Sequence, residues 1–163
     1  AGNVLLVCSV LGTLSVGGAN LLAPTARHVL VAKYDSAGNH LWSRAFGNTG
    51  ADSTARSVSV DGGGNVLVAG RFGGTVDFGG TPLTALGATE DSFVVKLSAD
   101  GKHLCSFGYG NASQITYAEG IAADTNGDLR IVGHYRDPRD FGSGSTTPSV
   151  GGKHDIYLLR YQR

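Results

Sequence analysis

Two cysteines, Cys8 and Cys105, have the widest chemical repertoire of any side chains in this sequence. A thiol can pair with another, bind a metal or act as a nucleophile, and a disulfide requires Cα atoms within about 7 Å. Cys8 stands where similar segments have the glycine that ends a strand pattern, and Cys105 stands in an outer-strand pattern. Because these places are more than one strand spacing apart, we expect two free, mostly buried thiols.

The acidic motifs resemble metal-binding loops but lack essential residues. DTNGD at 124–128 resembles the start of a calcium loop, which needs glycine at position six and glutamate at position twelve. Those places hold Leu129 and Tyr135. The Asp-Phe-Gly triplets at 77–79 and 140–142 resemble the magnesium loop of protein kinases, but the other kinase motifs are missing. We therefore expect turns at these places, with no metal site and no cofactor.

The histidines show no catalytic spacing. His40 and His103 follow tight turns at matching places in two similar segments, which indicates a scaffold role. No Ser-His-Asp order, no His-Glu-x-x-His signature and no histidine cluster with metal-ligand spacing occurs. The sequence shows no catalytic constellation, and we expect that the protein is not an enzyme.

An internal repeat of about 63 residues provides the elements that would position these side chains. GNVLLVC at 2–8 matches GNVLVAG at 64–70 and GDLRIVG at 127–133. Other strand and turn motifs keep the same spacing. The repeat units are approximately residues 1–54, 55–117 and 118–163.

Each full repeat contains four short β patterns separated by turn signals. In residues 55–110 these patterns are SVSVD, NVLVAG, SFVVKL and HLCSF. The middle two are nearly continuous apolar runs, which are typical of strands buried on both faces. Four consecutive antiparallel strands per repeat predict an all-β fold, a β-propeller with about two and a half four-stranded blades. A parallel β-solenoid is the alternative, although its repeats are usually shorter and need no such hairpin turns.

These motifs resemble the bacterial β-propeller repeats, often called SBBP repeats, of myxobacterial and other surface proteins. The similarity rests on G-N-V-x-V-A-G, D-F-G-G and D-x-F-V-x-K-L and covers nearly the whole chain. The departures are Cys8, Cys105 and Ser15-Val16. The resemblance implies an extracellular, cell-surface or periplasmic propeller that usually belongs to a long array and generally has no assigned catalytic site.

The composition and charge of the chain bear on which classes of partner it can bind. Lys+Arg and Asp+Glu both number 13 and 26 residues are glycine, so we expect no basic stripe and no nucleic-acid partner. No stretch is apolar enough to span a membrane; residues 4–19 resemble a signal peptide, but no basic segment precedes them. Because the sequence lacks an initial Met and starts and stops inside repeats, we expect a fragment of a longer array, or one part of a ring completed by other copies or chains.

The longer loops, after the second and fourth strands of each unit, form the candidate binding face. They are residues 71–90, 134–154, 48–54 and 111–117. The expected ligand-binding side chains there are Arg56 and Glu119, at the starts of inner strands, and Arg71, His134, Tyr135 and Arg136, after second strands. We expect a module for protein binding or scaffolding whose partners are other chains or other blades. The alternatives are a lectin that stacks glycans on Tyr109, Tyr117, Tyr135 or Trp42, and a propeller lyase or hydrolase.

Overall fold

The computed structural model describes residues 2–48, 50–87, 90–110, 112, 116–136, 139–141, 146–147 and 153–162. These residues form strands and turns, and no helix occurs among them. All nine strand pairings in these ranges are antiparallel. The predicted all-β class is confirmed, and the parallel solenoid alternative is wrong.

Three antiparallel sheets follow one another along the chain, each with its strands hydrogen-bonded in chain order. The first sheet contains β1 (Val4–Leu14), β2 (Leu21–Tyr34) and β3 (His40–Phe46). The second contains β4 (Ser53–Val60) and β5 (Val66–Phe72), then, after a small ribbon of β6 (Thr75–Val76) and β7 (Leu83–Thr84), β8 (Asp91–Leu97) and β9 (His103–Tyr109). The third contains β10 (Thr116–Ala123), β11 (Leu129–Arg136) and, after a ribbon of β12 (Arg139–Asp140) and β13 (Thr146–Thr147), β14 (His154–Tyr161). The four strand patterns expected in residues 55–110 are thus the four strands of the second sheet.

The second sheet lies between the other two, so both faces of its central strands are buried, as the sequence predicted. Successive side chains of a strand point to opposite faces. Val66 and Val68 of β5 therefore pack against Val29 and Val31 of the first sheet, which we call the first joint. The intervening side chains pack against the third sheet, which we call the second joint. They are Leu67 and Ala69 of β5, with Val94 of β8, against Ile121, Ile131, Tyr135 and Tyr157.

An aspartate turn closes three of the hairpins, at residues 35–39, 61–65 and 124–128. In each turn the leading carboxylate accepts hydrogen bonds from the backbone N–H groups two and four residues further on. The fourth residue is a glycine with positive φ, such as Gly64 at 80°, a conformation that L side chains rarely adopt. The second carboxylate oxygen of Asp124 accepts a hydrogen bond from Arg130 at 3.2 Å. The expected structural turn at 124–128 is confirmed.

The glycine that ends the repeated heptapeptide does not end its strand, which corrects our expectation. Gly70 lies inside β5, which continues to Phe72. A Cβ on Gly70 would overlap the carbonyl oxygen of Thr54 and lie 2.8 Å from the ring of Phe93. Glycine is therefore required by the close approach of β4, not by an exit from the sheet.

The close approach of a neighbouring strand also explains Gly133, and the absence of such a strand among the described residues explains Cys8. A Cβ on Gly133 would overlap the carbonyl oxygen of Tyr117 and lie 2.6 Å from the side chain of Tyr157. Cys8 instead lies in the middle of β1, opposite Leu30 of β2, and no described strand is hydrogen-bonded to the other edge of β1. A side chain is tolerated at Cys8 because no neighbouring carbonyl approaches it.

Both thiols are free, as the sequence predicted. Cys8 is partly buried, and that burial raises the pKa of its thiol. Cys105, however, is exposed on β9, so the expectation of mostly buried thiols is wrong for this residue. The outer strand β9 has one free edge within the described ranges, which leaves part of its side chains in solvent.

The Asp-Phe-Gly triplets and the repeated histidines serve the scaffold. Phe78 is buried in the first joint and Phe141 packs in the second, whereas Gly142 lies outside the described residues. The rings of His40 and His103 lie against glycine pairs, where a Cβ on Gly18 or Gly80 would collide with them.

The first hairpin is longer than the sequence indicated. β1 and β2 remain paired as far as Leu14 and Leu21, past a bulge between Val10 and Gly12. Val10 and Ala23 from this extension form a third apolar cluster with Leu30 and Ala32. The extension therefore covers part of the outer face of the first sheet.

Candidate functional site

Four of the six predicted binding residues lie near one end of the second joint. Arg71 and His134 both contact Tyr117, and Arg56 and Glu119 are close enough to His134 to shift its pKa. Arg71, His134, Tyr135 and Arg136 do not follow the second strands as expected, because β5 and β11 continue through them. Parts of all four expected loops, 48–54, 71–90, 111–117 and 134–154, lie outside the described residues.

The other two predicted binding residues are Tyr135, on the opposite face of β11 from His134, and Arg136, on the same face as His134. The ring of Tyr135 is 2% exposed within the second joint, so it is a core side chain and not part of a binding surface. Arg136 is exposed at the end of β11, where it is paired in register with His154. The burial of Tyr135 gives its expected binding role no support, and that role stays a prediction.

Arg56 and Glu119 occupy matching β-bulges. Arg56 lies between Ala55 and Ser57, where β4 shifts register against β5, and Glu119 lies at the matching shift in β10. A bulge adds an unpaired residue to one strand and can redirect its side chain. Both side chains are exposed as a result.

The ring of Tyr117 contacts two side chains, Arg71 and His134. The Arg71 guanidinium carbon is 5.1 Å from the centre of the tyrosine ring, and the His134 ring stacks on it at 4.4 Å. Arg71 also forms an ion pair with Glu90 at 2.9 Å and donates a hydrogen bond from Nε to the Thr54 hydroxyl at 3.1 Å. These contacts hold Arg71 beside Tyr117, which is partly buried.

The environment of His134 favours a neutral imidazole. Burial is the largest effect that lowers the pKa of His134, followed by His154, whose ring centre is 5.0 Å away. Arg56 lowers the pKa further, and Glu119 acts in the opposite direction. A neutral ring can donate and accept one hydrogen bond each, which suits polar recognition at neutral pH.

A groove of about 410 Å³ lies on the outward face of the third sheet. Its floor is formed by Val132, Ile156 and Leu158, which are 46%, 88% and 69% exposed. Glu119 and His134 line it, with Gly133 and Tyr157 completing the wall. Sequence reasoning missed the three floor residues, although alternation along β11 and β14 places them opposite the residues buried in the second joint.

The four aromatic side chains expected to stack sugars are packed. Trp42 is 9% exposed and its Nε1 donates a hydrogen bond to the carbonyl of Ala99 at 3.0 Å. Burial raises the pKa of Tyr109, whose ring contacts Phe141 and Tyr157. Tyr135 is also buried, whereas Tyr109 and Tyr117 are partly buried, and Tyr109 lines a second groove with Phe107 and Tyr161.

The described part of the chain contains neither a cluster of metal-ligating side chains nor a membrane-spanning helix. No three or more His, Cys, Asp or Glu side chains there are grouped so that they could hold a metal ion. The same ranges contain no helix with the length and apolarity to cross a bilayer. The chemistry at the groove is that of an apolar floor with one carboxylate and one imidazole beside it.

Comparison with known proteins adds no assignment. No protein-family model matches the chain, and no curated protein matches it. The resemblance to SBBP repeats therefore rests on the sequence motifs themselves.

Proposed function

We propose that the three sheets are consecutive blades of a β-propeller repeat array of the SBBP type. We further propose that the chain acts outside the cytoplasm, as an extracellular, cell-surface or periplasmic module for protein binding or scaffolding. One observation carries this proposal: the outward face of the third sheet exposes a contiguous apolar floor at the groove. The partner that fits it is a protein with an apolar sheet face.

The blade arrangement is supported by features that recur in the second and third sheets. Each has a first strand with a bulge, at Arg56 or Glu119, opposite a glycine of the next strand. Each turns one face toward the preceding sheet through a joint of buried apolar and aromatic side chains. Sheets stacked face to face in chain order are what blades require.

A protein partner suits the groove better than a sugar or a small substrate. Val132, Ile156 and Leu158 are large apolar side chains exposed side by side, and such patches mark protein interaction sites. The lectin alternative would need an open aromatic ring, and of the four candidates Trp42 and Tyr135 are buried while Tyr109 and Tyr117 are partly buried. For a lyase or hydrolase, which needs convergent acid and base groups, Glu119 and His134 are the candidates that line the groove, beside a floor of apolar side chains.

A random-peptide display library screened against the immobilised chain tests the proposal. We expect enriched peptides rich in apolar residues, whose binding is lost in the double variant Ile156→Lys, Leu158→Lys. Leu104→Lys is the matched control, because Leu104 is 51% exposed on β9 of the second sheet, away from the groove. A glycan array is run in parallel. Glycan retention, or equal peptide binding by the double variant, would contradict the proposal.

A further inference from the structure

We infer that the partner of this face is a second copy of the chain, whose first sheet docks face to face on the third sheet. This inference rests on the proposed function of protein binding and names the partner. The joint between copies would repeat the two joints already present within one chain. The chains would then associate head to tail.

Equivalent cross-strand pairs show that no sheet of the described residues packs on the outward face of the third sheet. Val7 pairs with Val31 in the first sheet, and both pack in the first joint. Ala69 pairs with Val94 in the second sheet, and both are buried in the second joint. The corresponding pair in the third sheet is Val132 with Leu158, and it forms the exposed floor of the groove.

The opposite face of each sheet shows which surface would fit on the exposed floor of the third sheet. Val68 pairs with Val95 and packs on the first sheet, and Ile131 pairs with Leu159 and packs on the second. The corresponding pair in the first sheet is Leu6 with Ala32. Leu6 is 40% exposed and Val4, on the same face, is 55% exposed.

The outer face of the first sheet is thus the counterpart of the surface that each joint buries. β1 reads VLLVCSVLGTL and contains no charged residue, so it brings no charge of its own to a contact with the apolar floor. A third sheet docked on another third sheet would instead bring together two faces that each carry exposed arginines. These are Arg130, Arg136 and Arg160. The pairing of unlike faces is therefore favoured over the symmetric one.

Cys8 indicates that the contact is made by faces and not by adding a strand at the edge of β1. At Gly70 and Gly133, where a bulged strand pairs with this position, a side chain would overlap the partner carbonyl. Cys8 has such a side chain. A strand that paired with β1 in the same bulged geometry would collide with it.

Complementing variants test the inference, because two unlike faces can be blocked separately. Leu6→Lys places a charge on the outer face of the first sheet, and Leu158→Lys places one on the floor of the third. We expect the unmodified chain to form concentration-dependent multiples of its 16.7 kDa mass in sedimentation velocity and multi-angle light scattering. Each variant alone should be monomeric, with self-association weakened at least about tenfold. An equimolar mixture should form a dimer with one chain of each kind, since each variant retains the face that the other has lost.

Leu104→Lys is the control, since it lies on neither outer face, and it should associate like the unmodified chain. Circular dichroism and thermal melting establish that each variant is folded before its mass is interpreted. A monomeric unmodified chain at all concentrations, or single variants that associate normally, would overturn the inference. A monomeric mixture would overturn the head-to-tail pairing. If the chain is monomeric yet binds displayed peptides through Ile156 and Leu158, the protein-binding function stands and only the identity of the partner is wrong.

Discussion

Replacing Gly70 with alanine measures how closely the inner strand β4 approaches β5. The added Cβ would overlap the Thr54 carbonyl oxygen and contact Phe93 at 2.8 Å, and neither group can move freely. Thr54 is in the β4–β5 ladder, and Phe93 is fully buried in the first joint. Overpacking of this kind costs about 1–3 kcal/mol, and a weakened ladder hydrogen bond adds about 1 kcal/mol.

The lower chain entropy of alanine in the unfolded state offsets about 0.4–1 kcal/mol of that cost. We therefore expect Gly70→Ala to lower the free energy of unfolding by about 2–3 kcal/mol. For a chain of this size that corresponds to a fall in Tm of roughly 4–12 °C.

Urea unfolding and calorimetry check this value, with two companion variants. Gly133→Ala should behave alike, because its Cβ would overlap the Tyr117 carbonyl. Cys8→Ala is the matched control at the equivalent place in the first sheet and should cost less than about 1 kcal/mol. The reasoning fails if Gly70→Ala unfolds within about 0.5 kcal/mol of the unmodified chain, or if Cys8→Ala is equally destabilising.

Three further predictions concern titratable groups. At pH 7 Asp61→Asn should cost about 2 kcal/mol in urea unfolding, because Lys96, 2.7 Å away, loses its partner. Burial, which would raise the pKa of Asp61, is outweighed by hydrogen bonds from Lys96 and Asn65, which lower it. The difference in unfolding free energy between the unmodified chain and Asp61→Asn should therefore shrink as pH falls below about 4. A difference that stays constant with pH contradicts the prediction. Thiol titration should count two thiols after denaturation. In the native protein the exposed Cys105 should react at least about tenfold faster than the partly buried Cys8. Equal reaction rates would argue against the burial of Cys8. Burial, His154 and Arg56 lower the pKa of His134, so its contribution to stability is present above the unfolded-state pKa of about 6.5 and is lost as pH falls below that value. Between pH 7 and pH 5 the Tm of the unmodified chain should therefore fall more than the Tm of His134→Gln. Identical pH profiles of Tm for the two proteins would refute this prediction.

The sequence predicted the strands best where one pattern dictates one environment. The apolar runs around Val68 and Val94 indicated burial on two faces, and the structure places them between two sheets. The aspartate turns were equally predictable, because the hydrogen bonds that close the turn between Asp61 and Asn65 join residues within five positions of chain.

What the sequence did not reveal depends on neighbouring strands. Gly70 was interpreted as a strand end, because the collision that requires glycine comes from Thr54 on another strand. The bulges at Arg56 and Glu119 leave no local signal, since they exist only as a shift between paired strands. Tyr135 resembled a loop residue because nothing in its own segment shows that Phe141 and Tyr157 enclose it.

The same aspartate turns bear on the order of folding events. The bonds that close them join residues no more than four apart, whereas the Ser57 hydroxyl and the Ile121 amide, bonded across the second joint, are 64 residues apart. Hairpins form within about 1–10 μs, while distant contacts must first overcome the entropy of closing a long loop. Stopped-flow kinetics should therefore show that Asp35→Ala and Asp124→Ala mainly slow refolding. Val94→Ala, at the second joint, should mainly accelerate unfolding, because the stacking of sheets follows the rate-limiting step.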